Sequence, residues 1–108
     1  MRSKVESYMG FAAKARKLAT GYNTCLFMME KKKLRLLILA EDLSENSKEK
    51  MINAAKQYKL PYRVYGSIDE LSHMTGTEGK GIFGLTDENF AKVILSEIDR
   101  QSLEKEVF

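Results

Sequence analysis

The residues best suited to contact another molecule lie in a predicted turn, Gly21-Tyr22-Asn23, that precedes a helix. Gly21 has no side chain, so a ligand can approach its backbone closely. The free N–H groups and positive dipole end of a helix start attract a phosphate or a base edge. The amide of Asn23 can both donate and accept hydrogen bonds on a base edge. This chemistry suits a nucleic acid, but the residues alone favour an ordinary turn with Asn23 as the helix N-cap.

Basic residues flank this turn on both sides. Lys14, Arg16 and Lys17 come before it, and Lys31-Lys32-Lys33 and Arg35 close the helix that follows. The net charge is only +3, but residues 1–66 hold 14 Lys and Arg against 6 Asp and Glu. Such an excess can mark a polyanion-binding side, and two solvated faces that happen to differ in charge are the alternative. A second alternative is that the lysines merely offset the negative end of a helix dipole.

No arrangement of residues points to catalysis, and we expect neither a catalytic group nor a cofactor. The stretch 76–81, GTEGKG, resembles a phosphate loop, but a glycine follows its lysine where a Ser or Thr must hold magnesium. Glu41 and Asp42 have no second convergent acid, so a loop or helix-capping role is favoured for them. Cys25 has no candidate histidine partner, and one cysteine with one histidine, His73, cannot form the usual zinc ligand set.

Length and composition predict one soluble domain over residues 1–108, with a core at about 4–100 and a C-terminal tail at 101–108. The longest apolar run, residues 36–40, is far too short to cross a membrane, and the start lacks the apolar stretch of a secretory signal. A single cysteine suits a reducing compartment. These features together predict a cytoplasmic protein without membrane contact.

Hydrophobic periodicity alternates between helical and strand-like blocks. It predicts helices at about 4–16, 23–32 and 47–59, a short helix between Ser67 and Gly76, and a last helix capped by Asp87. Strands are predicted at 34–40, 62–65 and 81–86, and residues 17–20 are either a short strand or the last turn of the first helix. This order indicates a layered α/β sandwich. The side chains expected to face the core are Val5, Tyr8, Met9, Ala12, Ala15, Ala19, Cys25, Leu26, Met28, Met29, Met51, Ile52, Ala55, Tyr58, Phe90, Val93, Ile94 and Ile98.

The stretch 21–42 carries the most specific pattern. A Gly-x-Asn pair opens a helix, a basic run closes it, and a buried strand ends in Ala40-Glu41-Asp42. This pattern resembles the kink-turn RNA-binding superfamily of ribosomal proteins, which includes the archaeal "seven-Ae" and eukaryotic "thirty-e" large-subunit proteins. Residues 59–62 (KLPY) and 67–76 match further motifs of that superfamily, and residues 10–17 match the opening Gly-x-Ala-x-x-Ala-Arg-Lys of its bacterial YlxQ-like members. The resemblance covers roughly residues 4–100.

The resemblance implies a three-layer α/β/α sandwich around a mixed four-stranded sheet. It also implies non-enzymatic binding of structured RNA, ribosomal or other, with the ribosome as a candidate partner. Thr24 and Phe27 stand where the family has Glu and Lys. The residues predicted to contact RNA are Lys14, Lys17, Gly21, Tyr22, Asn23, Thr24, Phe27, Lys31, Lys32, Lys33, Gly76, Thr77 and Lys80.

A protein–protein adaptor on the same fold is the alternative function, because a fold does not fix its ligand. An adaptor would need an exposed apolar patch, with Tyr22 and Phe27 as candidate members.

Overall fold

The computed structural model describes the backbone of residues 3–107 and the side chains of residues 3–103. Helices and strands alternate along this part of the chain in the order that the sequence predicts. The helices are α1 (Lys4–Lys14), α2 (Tyr22–Glu30), α3 (Glu45–Gln57), α4 (Ile68–Thr75) and α5 (Glu88–Val107). The strands are β1 (Leu18–Thr20), β2 (Leu36–Leu39), β3 (Tyr62–Val64) and β4 (Ile82–Leu85).

Side-chain caps fix where four of these helices begin. Ser3 and Ser67 each accept the N–H three residues on, at the starts of α1 and α4, as predicted. Asp87 does the same for α5. Helix α3 begins earlier than predicted, because Ser44 accepts the N–H of Ser47 and turns Ser47 into a residue of the first helical turn.

The start of α2 differs from the prediction. Its N-cap is Gly21 and not Asn23, which lies inside the first turn of the helix. Gly21 has φ 94° and ψ 160°, a conformation that is essentially restricted to glycine. The prediction of Asn23 as the N-cap was therefore wrong, because a residue with good capping chemistry sits two positions too late to use it.

Four helices end on a residue with positive φ. Gly76 ends α4 at φ 72°, as predicted from its position. The other three are basic residues: Arg16, Lys32 and Lys59 follow α1, α2 and α3 at φ 59°, 59° and 56°. Glycine is the usual residue at such positions, since other residues meet a steric penalty there.

The four strands form one mixed sheet in the order β1-β4-β2-β3. Strand β4 lies antiparallel to both β1 and β2, while β2 and β3 run parallel. The ends of β1, β2 and β3 and the start of β4 therefore meet at one edge of the sheet. We call this the loop edge, and the predicted turn at Gly21 lies on it.

Helices cover both faces of the sheet and complete the three-layer α/β/α sandwich implied by the resemblance. One core cluster joins α1, α4 and α5 to one face, and the other joins α2 and α3 to the opposite face. All four residues of β2 are buried, because helices cover both of its sides. The near-continuous apolar run in the sequence predicted this burial.

Two residues expected in the core are exposed. Ala15 lies just beyond the end of α1, and Val93 is 40% exposed because the buried face of α5 is set by Ala91, Ile94 and Ile98. Helix α5 continues past residue 100 to Val107, so the predicted tail is helical as far as that residue.

Candidate nucleic-acid interface

Gly21 fixes the start of α2 against the loop edge. Its N–H donates to the carbonyl oxygen of Ile82 at 2.8 Å, and its own carbonyl accepts the N–H of Cys25 at 3.1 Å. Because Gly21 supplies no side-chain cap, the N–H groups that open α2 have no side-chain acceptor from their own N-cap. These N–H groups, at the positive end of the helix dipole, can donate to a phosphate or base oxygen.

Lys80 brings a cation to the same place. Its Nζ lies 3.6 Å from the position that a Cβ on Gly21 would occupy. The backbone of Lys80 is held by the buried Ser72 hydroxyl, which accepts the Lys80 N–H at 2.9 Å and donates to its carbonyl at 2.8 Å. The loop between α4 and β4 therefore presents its lysine beside the start of α2. We call Gly21, Tyr22, Asn23 and Lys80 the loop surface.

Asn23 and the aromatic side chains of α2 differ in how free they are to contact a ligand. Asn23 and Phe27 are exposed one helical turn apart, and Phe27 is 56% exposed. The ammonium of Lys31 lies 5.5 Å from the centre of the Phe27 ring, at cation–π distance. Tyr22 is half-buried and packs against the core beneath α2. Phe27 is thus the better placed of the two rings to stack on a base.

The three consecutive lysines lie at the other end of α2. The nine residues of that helix separate them from Asn23 by about 13 Å along its axis. Lys32 and Lys33 line a groove with Thr24, Arg16 and Arg35. We call this the basic groove. Arg16 and Arg35 were not among the residues predicted to contact RNA, although their closeness in sequence to the predicted lysines was visible.

The remaining predicted residues are not among those that define the loop surface or line the basic groove. Lys14 and Gly76 share a cavity of about 360 Å³ between α1 and α4. The backbone of Thr77 is hydrogen-bonded to the end of α4, since its N–H donates to the Ser72 carbonyl at 2.9 Å. Lys17 is exposed at the start of β1, where its carbonyl accepts the Thr86 N–H at 3.0 Å.

Glu41 and Asp42 also reach the loop edge, and their geometry fits a structural role. Asp42 Oδ1 accepts the N–H of Ile68 at 2.8 Å and so caps the first turn of α4 from a distant loop. The carbonyl of Glu41 accepts the ammonium of Lys48 at 2.9 Å. The preference for a capping role over an acid pair at these residues is confirmed for Asp42.

Cys25 lies in the core under the candidate interface. Its thiol points to the carbonyl oxygen of Ala19 at 3.6 Å, and burial raises the pKa of the thiol to about 12. A thiol that stays protonated is a poor nucleophile and a poor metal ligand. Among the described residues, no three metal-ligating side chains cluster, and no helix there is long and apolar enough to cross a bilayer.

Comparison with known proteins places this arrangement in one family. Residues 3–95 match the model of the ribosomal protein L7Ae/L30e/S12e/Gadd45 family. The RNA-binding protein YlxQ of Bacillus subtilis is 30% identical over 91 residues, which cover 84% of this chain and 91% of that protein. YlxQ of Enterococcus faecium is 33% identical over 91 residues, covering 84% of this chain and 87% of its own.

Solved structures show the same fold. A Bacillus halodurans protein of unknown function superposes with a TM-score of 0.88 at 28% identity, covering 91% of this chain and 99% of that one. A 15.5 kD RNA-binding protein of Giardia lamblia superposes with a TM-score of 0.75 at 15% identity, covering 93% of this chain and 92% of its own. The chain belongs to the ribosomal protein L7Ae/L30e/S12e/Gadd45 family.

Proposed function

We propose that this protein binds structured RNA without catalysing a reaction, and that it does so through the loop surface. The RNA is ribosomal or another folded RNA, met in the cytoplasm and in the setting of the ribosome or translation. Two relatives at 30% and 33% identity, both RNA-binding proteins, support this assignment.

The observation that carries the proposal is the meeting of two loops at the start of α2. Gly21 leaves the helix N–H groups open and the Lys80 ammonium stands beside it, at 3.6 Å from the Cβ position. The exposed Asn23 amide adds a group that can read a base edge. Backbone donors, one cation and one amide suit a folded RNA, whose bases and phosphates are presented together.

The adaptor alternative would need Tyr22 and Phe27 to share an exposed apolar patch. Tyr22 packs into the core, and the exposed ring of Phe27 has a lysine ammonium over it. These two side chains therefore form no continuous apolar surface at the start of α2.

Asn23→Ala is the sharpest test, because the structure separates its effect on binding from its effect on folding. Asn23 is exposed and does not cap α2, so we expect its loss to change stability by no more than about 0.5 kcal/mol. One good base contact is worth roughly 1–3 kcal/mol, so RNA affinity should fall about 5- to 150-fold. The matched control is Asn53→Ala, the same change at an exposed position of α3.

The measurement has two steps. Crosslinking the protein to cellular RNA and sequencing the recovered fragments identifies a bound segment, and fluorescence anisotropy then gives the affinity of each variant for it. Thermal melts of the same samples check folding. Equal affinity of Asn23→Ala and the wild type, with both folded, would contradict the placement of the site.

A further inference from the structure

The basic groove is lined by four cations and no carboxylate. Arg16, Lys32, Lys33 and Arg35 surround it, and the hydroxyls of Thr24 and Thr86 line it as well. Its apolar lining comes from Leu18, Ala19 and Met28, and its volume is about 520 Å³. Guanidinium, ammonium and hydroxyl groups around one open groove can donate hydrogen bonds to the oxygens of consecutive phosphates.

These cations are more than a helix dipole requires. The negative end of a helix carries about half an elementary charge, whereas Lys31, Lys32, Lys33 and Arg35 bring four positive charges to the end of α2. The one ion pair formed by a groove cation within the described residues joins Arg35 to Glu88 at 3.9 Å, and both of those side chains are largely exposed. Most of the positive charge is therefore left for a ligand.

The groove is continuous with the loop surface through α2. Thr24 lies in the first turn of that helix, next to Asn23, and also lines the groove. The helix spans about 13 Å, over which one strand of a nucleic acid places about four phosphates. An RNA that contacts Asn23 can thus continue along α2 without leaving the protein surface.

We propose that RNA held at the loop surface runs along α2 into the basic groove, where Arg16, Lys32 and Arg35 contact its phosphates. This inference rests on the proposed function and adds a second, sequence-independent surface to it. It assigns phosphate contacts to Arg16 and Arg35. It also gives the lysines at the end of α2 a different role, phosphate contact, from that of the residues at its start, which contact bases.

Two of the groove cations, Arg16 and Lys32, have positive φ just after a helix, so replacing them with glycine removes charge without destabilising the fold. Arg16 and Lys32 both have φ 59°, a conformation that glycine adopts freely, so Arg16→Gly and Lys32→Gly should leave thermal stability unchanged or higher. Lys59→Gly is the matched control. It makes the same backbone change at φ 56° after α3, and Lys59 lines a neighbouring pocket with Lys32 and Arg35 and not the basic groove itself.

The probe is a fluorescein-labelled kink-turn RNA with two stems of about ten base pairs, titrated by anisotropy at several salt concentrations. Each phosphate contact contributes about 0.7–0.9 to the slope of log affinity against log salt. The double variant Arg16→Gly, Lys32→Gly should therefore lower the slope by about 1.5 and the affinity about ten-fold at 0.2 M salt. Lys59→Gly, which removes one charge beside the groove and none from it, should change both quantities less than either single variant, Arg16→Gly or Lys32→Gly.

Three outcomes separate this inference from the proposed function. If Asn23→Ala weakens binding while the double variant keeps the wild-type affinity and slope, the groove has no RNA role and the loop surface stands. If the wild type binds no RNA even at low salt, the proposed function itself fails. If the double variant instead loses binding of hexaglutamate but not of RNA, the groove is a site for acidic protein segments and the inference is overturned.

Discussion

Gly21 is the residue at which the backbone of the loop surface is most constrained, and Gly21→Ala tests that constraint directly. At φ 94° and ψ 160° a Cβ is strongly disfavoured, and residues forced into such regions cost about 1–3 kcal/mol. The added Cβ would lie 3.6 Å from the Lys80 ammonium, which is ordinary van der Waals contact. The expected loss therefore comes from backbone strain and not from a clash.

The magnitude is large enough to measure in a domain of this size. A change of 1 kcal/mol shifts Tm by roughly 4–8 °C for a chain of about 100 residues. We expect the Tm of Gly21→Ala to lie about 5–20 °C below that of the wild type. Thermal melts monitored by circular dichroism measure this difference. Urea unfolding should show the same loss of unfolding free energy as a lower midpoint concentration of urea. The dependence of the unfolding free energy on urea concentration should not change, since the surface exposed on unfolding is the same.

Gly79→Ala is the control, because Gly79 lies in the neighbouring loop with nothing within 4 Å of an added Cβ. Its φ of 60° is the left-handed region that Arg16, Lys32 and Lys59 already occupy in this chain, so a smaller cost of about 1 kcal/mol is expected. A Gly21→Ala variant that melts with the wild type would refute the reasoning, since it would mean that α2 does not start from this backbone conformation.

Two further predictions concern α2. Thr24→Glu with Phe27→Lys restores the carboxylate and lysine of the resembled family at two exposed positions, so affinity for one kink-turn RNA at fixed salt should rise about 5- to 150-fold. No gain would mean that the loops, and not these two side chains, set specificity. Because the pKa of Cys25 is about 12 in the folded state, unfolding free energy should fall by roughly 1 kcal/mol between about pH 8.5 and 9.5, as the thiol ionises only in the unfolded chain. Urea titrations of Cys25→Ser should lack that decline, and an equal decline in both proteins would contradict the assignment.

The features that the sequence predicted correctly are those encoded by local patterns. The spacing of Ser67 and Glu70 is typical of a helix start, and the Ser67 hydroxyl accepts the Glu70 N–H at 3.1 Å and donates to the Glu70 carboxylate at 2.8 Å. The run at 36–40 has apolar side chains on both faces of the strand, so both faces must be covered to keep them from water. Every residue in the run is buried. These patterns need no knowledge of the rest of the chain.

The features that were missed depend on geometry that no short pattern encodes. Asn23 has N-cap chemistry, but the hydrogen bond from Gly21 to Ile82 in β4 sets the helix start two residues earlier. Val93 fits an apolar face on α5, but the sheet beneath that helix selects the neighbouring face at Ala91 and Ile94. In both cases a contact with a distant strand decides between two locally acceptable registers.

The distances between the basic residues and Asn23 also depend on the fold. Lys31 to Lys33 are near Asn23 in sequence, but the length of α2 places them about 13 Å from it. Arg16 follows α1 and lines the basic groove with Lys32 and Lys33, because β1 leads from the end of α1 to the start of α2.

This separation implies a division of roles along α2. Contacts to phosphates position a nucleic acid and supply salt-dependent affinity, whereas contacts to base edges discriminate between sequences. The loop surface has the Asn23 amide and one cation, Lys80, so its contribution is mainly selective. The basic groove has four cations around apolar and hydroxyl groups, so its contribution is mainly electrostatic. Loss of Arg16 and Lys32 should accordingly weaken all RNAs by a similar factor, while loss of Asn23 should narrow the difference between a preferred RNA and a poor one.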